Sequence, residues 1–418
     1  MRALRLAIGL PVTAVVAGLL AFAPAAAASA DSIRNAEYWL TEYGIRQAWS
    51  VTQGQGVIIA VIDTGVDATV PDLAGAVLPG ADFSGIGNAR GWAPVGDENS
   101  MHGTLVASLA AGRGTGANDG VIGSAPAAMI MPLSIALSGS SIDSDTQIAE
   151  AVRYAVDHGA KVINMSLTRN TLDWPTSWDD AFLYAAEHDV VVVAAAGNRG
   201  SGTTVVGAPA TMPGVLTVAG VDRLGEASFD ASSQGITVAI AAPSEELVGA
   251  APGPRYLAWS GTSGAAPIVS GIVALVRAAH PELDAANVIN RIVATAHDRG
   301  DGGYDPYYGY GLIDAAAAVS AYVPTVTANP MGSLADWINV YRPTALDPVV
   351  HPTPVVVVPE PDHIAAPDSA TPFGKVLAPI ELLRTVGPGV LVVIAFAAGI
   401  AVLAIWAIRR ADGGRRSR

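Results

Sequence analysis

Cysteine is absent from all 418 residues. No disulfide, thiol nucleophile or cysteine-held metal is open to this chain. If a domain is exported, its core alone must hold it. Basic charge is also scarce: 23 Lys and Arg stand against 37 Asp and Glu, a formal charge of −14. A nucleic-acid partner calls for a basic surface, so this balance argues against that class. A solvated acidic surface is the plain reading. Charge of either sign makes up only 14% of the chain, whereas 51% is hydrophobic and glycine numbers 45. A chain of this length accommodates one large domain plus extras.

Both ends carry membrane-related signals. Arg2 and Arg5 flank the start of an apolar stretch, residues 6–22, which is broken by Pro11. Ala28-Ser29-Ala30 then forms an A-x-A site, so residues 1–30 are expected to be a cleaved secretory signal peptide. An uncleaved anchor is the alternative, but Pro11 would interrupt its helix. Residues 389–408 form an unbroken apolar run, close to the ~20 residues that cross a bilayer's hydrocarbon core. Trp406 fits an interfacial anchor, and Arg409, Arg410, Arg415, Arg416 and Arg418 follow. Arginine clusters favour the cytoplasmic side. One C-terminal transmembrane helix in the plasma membrane is therefore expected, with residues 409–418 as a basic cytoplasmic tail and the domain outside. A buried core helix is the competing reading of the run.

Between the ends, residues 54–323 read as one globular unit. Short apolar runs at 57–62, 128–135, 161–166, 190–194 and 215–219 alternate with helical patterns at 104–112, 144–158, 178–188 and 263–279. Such alternation predicts an α/β fold with a mainly parallel central sheet. Sites in these sheets form at the carboxyl ends of strands. Asp63 and Asn198 each sit just past the end of an apolar run. Residues 31–53 look too short for a separately folding propeptide and are expected to pack on the domain as an N-terminal extension. From 324 to 388 proline is dense enough to block helices and central strands, which predicts an extended linker, with 337–341 able to pack locally.

Three segments carry the chemistry: Val61-Ile62-Asp63-Thr64-Gly65, His102-Gly103-Thr104 and Gly261-Thr262-Ser263-Gly264-Ala265-Ala266-Pro267. Nucleophilic acyl transfer needs a hydroxyl, a base to take its proton and a carboxylate to orient the base. Asp63, His102 and Ser263 supply these in one of the known chain orders. Each also has a bland reading. A serine at a helix start is commonly an N-cap, and a lone histidine is commonly structural. His158, His188, His280, His297, His351 and His363 fit that second reading better. Asp67 and Asp72 stay open as alternatives to Asp63, although each more often marks a turn. Asn198, in Ala195-Ala196-Gly197-Asn198, is either a turn residue or a side-chain amide donor to an oxyanion.

The segments around Asp63, His102, Asn198 and Ser263 resemble those of the subtilisin-like serine proteases, the S8 peptidases, across residues 54–321. The layout resembles the mycosins within them, the membrane-anchored proteases of type VII secretion in actinobacteria. This resemblance implies a three-layer subtilisin-like fold and a serine endopeptidase of protein or peptide substrates. Type VII membrane-complex subunits would be its partners, and it would need no cofactor. It implies that 137–141, with Leu137, Ser138 and Gly139, form an edge strand that pairs with extended substrate along one wall. Ser166, Leu167 and Thr168 would line the other, and Ala195, Ala196 and Gly197 the S1 pocket, beside the oxyanion donor Asn198. Substrate would add as an extended strand. A general cell-surface subtilase and a scaffold of a secretion complex are the alternatives.

Departures from the family pattern shape the remaining expectations. Gly264 stands where many subtilases have methionine. Thr168, followed by Arg169, stands where glycine is usual, which should narrow or polarise the pocket and implies narrow specificity. Residues 118–123 faintly resemble a calcium loop but hold few carboxylates, so no obligatory metal is expected.

Overall fold

The computed structural model describes residues 32–96, 99–253 and 255–342. The expected signal peptide (1–30), the proline-rich segment from 343, the expected span (389–408) and the basic tail lie outside the described residues.

Seven strands form one sheet: β1 Ile58–Asp63, β2 Ala81–Asp82, β3 Met129–Ser134, β4 Val162–Met165, β5 Val191–Ala195, β6 Leu216–Val221 and β7 Ile240–Pro243. The order is β2-β3-β1-β4-β5-β6-β7, and every pairing is parallel. Helices cover both faces, so the strands need no polar side. That is why β1 can read Ile-Ile-Ala-Val-Ile without alternation and stay buried almost throughout. The helices His102–Ala111 and Thr262–Ala279 pack on each other and on the sheet. Ser144–Asp157 and Thr176–Glu187 form a second pair against the sheet, completing three layers. Thr262–Ala279 is long and apolar enough to cross a membrane, yet 83% of it is buried, as befits a core helix. An antiparallel hairpin, β8 Leu247–Ala251 and β9 Arg255–Trp259, leads straight into it.

Strand order reverses around β1, with β3 on one side and β4 on the other. A crevice opens at the carboxyl end of the strand where such a reversal occurs. Asp63 is the last residue of β1.

The segment 32–53 packs on the domain, with Trp39, Leu40 and Ile45 fully buried. Arg34 donates to the Gly120 and Asp119 carbonyls at 3.1 and 2.9 Å, and Glu37 accepts from Ile122 N–H at 2.8 Å. Asp72 accepts from Val121 N–H at 2.7 Å. The stretch compared above with a calcium loop is thus clamped by protein groups. Burial pushes the Glu37 carboxyl up to about 8, against the opposing pull of the Ile122 N–H and Arg34.

The domain's downstream edge runs further than proline content suggests. The linker expected from 324 is instead packed as far as Arg342. Val326 exchanges hydrogen bonds with Asn287, and Asn329 donates to the Gly214 carbonyl at 3.0 Å. Residues Leu334–Tyr341 form a helix. Trp337 of this helix packs on Trp174 at 4.4 Å between ring centres, and Arg342 lies over both rings.

Candidate active site

Asp63 and His102 meet where the sequence pattern suggests. His102 Nδ1 lies 2.9 Å from both Asp63 carboxylate oxygens. The carboxylate is buried, its side chain 3% exposed, while the imidazole is 26% exposed toward the cleft. Burial pulls the His102 pKa down, but the attraction of Asp63 and the hydrogen bond to it outweigh that, so the net shift is upward from 6.5. With Nδ1 carrying the proton held by Asp63, Nε2 is the basic nitrogen left free.

Thr64 is the clamp between these two residues. Its N–H donates to Asp63 Oδ1 at 2.7 Å, its hydroxyl donates to the Ser100 carbonyl at 2.8 Å, and Gly103 N–H donates to that hydroxyl at 3.0 Å. Gly103 has to be glycine, because a Cβ there would lie 2.3 Å from the Gly65 carbonyl. This close approach carries the start of the His102–Ala111 helix onto the end of β1. The alternatives to Asp63 are otherwise engaged: Asp67 caps Thr69, and Asp72 holds the 120–122 loop. His158 and His188 bond carbonyls of their own helices, at Tyr154 and Tyr184.

Ser263 lies in the first turn of Thr262–Ala279, at the positive end of that helix's dipole. Its hydroxyl donates to the Ser166 carbonyl at 3.2 Å. Asn198 Oδ1 accepts from Thr262 N–H and Thr262 Oγ1, both at 2.8 Å. That pins the amide by its oxygen and leaves Nδ2 as the available donor beside Ser263. A hydroxyl, an imidazole, a buried carboxylate and a side-chain amide donor therefore converge on one cleft.

The cleft measures about 320 Å³. Asp63, His102, Asn198 and Ser263 all border it, as do Leu137, Ser166, Leu167, Thr168, Ala195 and Gly197 among the expected substrate residues. Ser138, Gly139 and Ala196 lie off its wall. Ala196 is buried in the sheet, its N–H bonded to the Val218 carbonyl. Residues 137–139 are a bend rather than an edge strand, with Gly139 at φ +80°. Thr64, Asn99, Ile135, Ser201, Thr203 and Thr262 also line the cleft and were not foreseen. Thr64 and Thr262 adjoin the motif residues, so their positions were readable. Ser201 and Thr203 come from a turn-like Gly/Ser/Thr stretch that carries no such signal.

One expectation needs correction, and one departure from the family pattern finds a cause. Arg169 does not polarise the pocket: its guanidinium pairs with Asp145 and lies over the Trp178 ring, away from the cleft wall. Thr168 alone faces inward. Gly264 has a packing cause, since a Cβ there would come within 2.3 Å of Leu247 Cδ1. The β8–β9 hairpin supplies the side-chain volume beside Ser263. From the same hairpin, Trp259 meets the His102 ring edge-on at 5.7 Å.

Comparison with known proteins agrees with this geometry. Residues 54–311 match the subtilase family, peptidase S8. Fervidolysin of Fervidobacterium pennivorans is 34% identical over 326 residues, which cover 71% of this chain and 45% of that protein. This chain thus spans about half the length of that relative. Mycosin-3 of Mycobacterium tuberculosis is 33% identical over 373 residues, covering 75% of this chain and 76% of the mycosin. Among solved structures, a chain in the periplasmic assembly from the ESX-5 inner membrane complex is 30% identical with a TM-score of 0.60, covering 70% of this chain and 86% of that one. The chain belongs to the subtilase family, on its mycosin branch.

Proposed function

We propose that this protein is a serine endopeptidase that works outside the membrane, anchored by residues 389–408 after removal of residues 1–30, in association with a type VII secretion complex. The observation that carries the reaction is the Asp63–His102 pair opening onto the cleft that Ser263 and Asn198 share. In the free protein Ser263 Oγ rests on the Ser166 carbonyl, and rotation about Cα–Cβ redirects it to His102 Nε2. His102 takes the hydroxyl proton as Oγ bonds to the scissile carbonyl carbon. The carbonyl electrons move to oxygen, where Asn198 Nδ2 and Ser263 N–H donate. Buried Asp63 stabilises the imidazolium. Its proton then passes to the leaving amine as the C–N bond breaks, and water hydrolyses the acyl-enzyme by the same route.

Secretion association is supported by the Mycosin-3 relative and by the similar chain in the ESX-5 assembly. Narrow specificity is supported by the Thr168 and Thr203 side chains at the cleft. Ser263→Ala tests the mechanism: hydrolysis of a peptide library should vanish while the melting temperature holds. Undiminished turnover would sink the mechanism. Purification of the full chain from membranes tests the setting, and recovery without any secretion-complex subunit would count against it.

A further inference from the structure

Pro267 lies inside the helix Thr262–Ala279, beyond its first turn. An ordinary residue there would donate its backbone N–H to the carbonyl four residues back, which belongs to Ser263. Proline has no N–H, so the carbonyl of the nucleophile loses its helical donor. The place is filled from another element: Ser166 Oγ donates to the Ser263 carbonyl at 2.8 Å. That hydroxyl is held from behind. Asn164 Nδ2 donates to Ser166 Oγ at 3.0 Å, and Ser270 Oγ donates to Asn164 Oδ1 at 2.9 Å. All three residues are buried. Ser263 Oγ donates in return to the Ser166 carbonyl.

We propose that Ser166 is a positioning residue for the nucleophile: its hydroxyl replaces the donor that Pro267 lacks and ties the Ser263 peptide to the cleft wall. This rests on the serine-peptidase reading. A helical donor would fix the Ser263 carbonyl only against its own helix. The Ser166 hydroxyl fixes it against the segment after β4, which lines the cleft. The nucleophile and the surface that seats the substrate then share one register. Such registration matters because a misplacement of about 1 Å can cost on the order of 10²-fold in rate.

A double-mutant cycle isolates the tether. Ser166→Ala should lower kcat about tenfold, with KM moved less than about twofold. Pro267→Ala supplies a backbone N–H to the Ser263 carbonyl. In that background Ser166→Ala should cost no more than about threefold. Both Ser166→Ala proteins leave Asn164 Nδ2 unpaired, so a general loss of stability cancels across the cycle. Hydrogen exchange at the residue-267 amide needs no hydrolysis: in the Pro267→Ala protein, adding Ser166→Ala should raise its protection. Equal kcat costs in the two backgrounds, or no cost with Pro267 present, would overturn the tether. If the unmutated enzyme shows no Ser263-dependent turnover, the peptidase reading falls instead, and amide protection that fails to rise then overturns the tether by itself.

Discussion

Replacing Thr168 by glycine should widen the preference at the residue before the scissile bond. The Thr168 hydroxyl donates to the Arg169 carbonyl at 3.0 Å, which turns its methyl inward. A Cβ on Gly197 would lie 3.2 Å from that methyl and 2.5 Å from the Thr203 methyl, so both reach the pocket floor. Leucine has three more carbons than alanine. At about 0.8 kcal/mol per buried CH₂, a pocket that admits them gains up to ~2.4 kcal/mol, or about 60-fold. The present pocket should forfeit most of that gain. Paired fluorogenic peptides differing only in Ala or Leu at this position give the ratio of kcat/KM. Thr168→Gly should raise the Leu/Ala ratio by about 10- to 60-fold. Thr168→Ser, which removes only the methyl, should fall between. A ratio unchanged in Thr168→Gly, with the fold intact by melting, would refute the claim that these methyls bound the pocket.

Further outcomes follow from the site and its surroundings. His102 should titrate above 6.5 by NMR, and kcat/KM should fall as pH drops through that raised pKa, because the base must be neutral. In Asp63→Asn the charge attraction that raises it is lost, so the His102 pKa should fall, and a pKa that stays as high would contradict the assigned cause. Asn198→Asp keeps the acceptor for Thr262 but loses the Nδ2 donor, so kcat should drop by at least roughly 10²–10³, the size measured on a subtilisin for losing such a donor, with little change in melting temperature. With Gly264 beside the nucleophile, dilute peroxide should leave turnover largely intact, whereas Gly264→Met should cost about 1–3 kcal/mol in chemical denaturation through collision with Leu247. Glu37 is held protonated up to about 8 in the folded protein against 4.5 for the free group, so its contribution to stability is complete below 4.5 and is lost as pH rises to about 8. Glu37→Gln should flatten that decline in melting temperature, and an unchanged slope would remove Glu37 as its source.

What could be read from residues alone follows a physical division. The parallel strands and the Asp, His and Ser contexts were legible because local chemistry writes them. A strand covered on both faces must be continuously apolar. Where the first turn of the His102–Ala111 helix presses on the end of β1, the contact residue must lack a Cβ, as Gly103 does. Side-chain direction is decided elsewhere. Arg169 adjoins the pocket in sequence, yet Asp145 and Trp178 draw it away. Leu247 fills the space beside Gly264 from a hairpin whose own residues give no hint of the nucleophile. Residues 137–139 are expected to form an edge strand, but a strand exists only when something pairs with it, and among the described residues nothing does. Their bend is the unpaired form of a surface that an extended peptide could complete through main-chain hydrogen bonds. Substrate would then do two things at once: its backbone would pair along this wall, and an N–H could claim the Ser166 carbonyl that Ser263 Oγ now occupies. Binding would thereby free the hydroxyl for His102. That would link the bend at 137–139 to the orientation of the Ser263 hydroxyl.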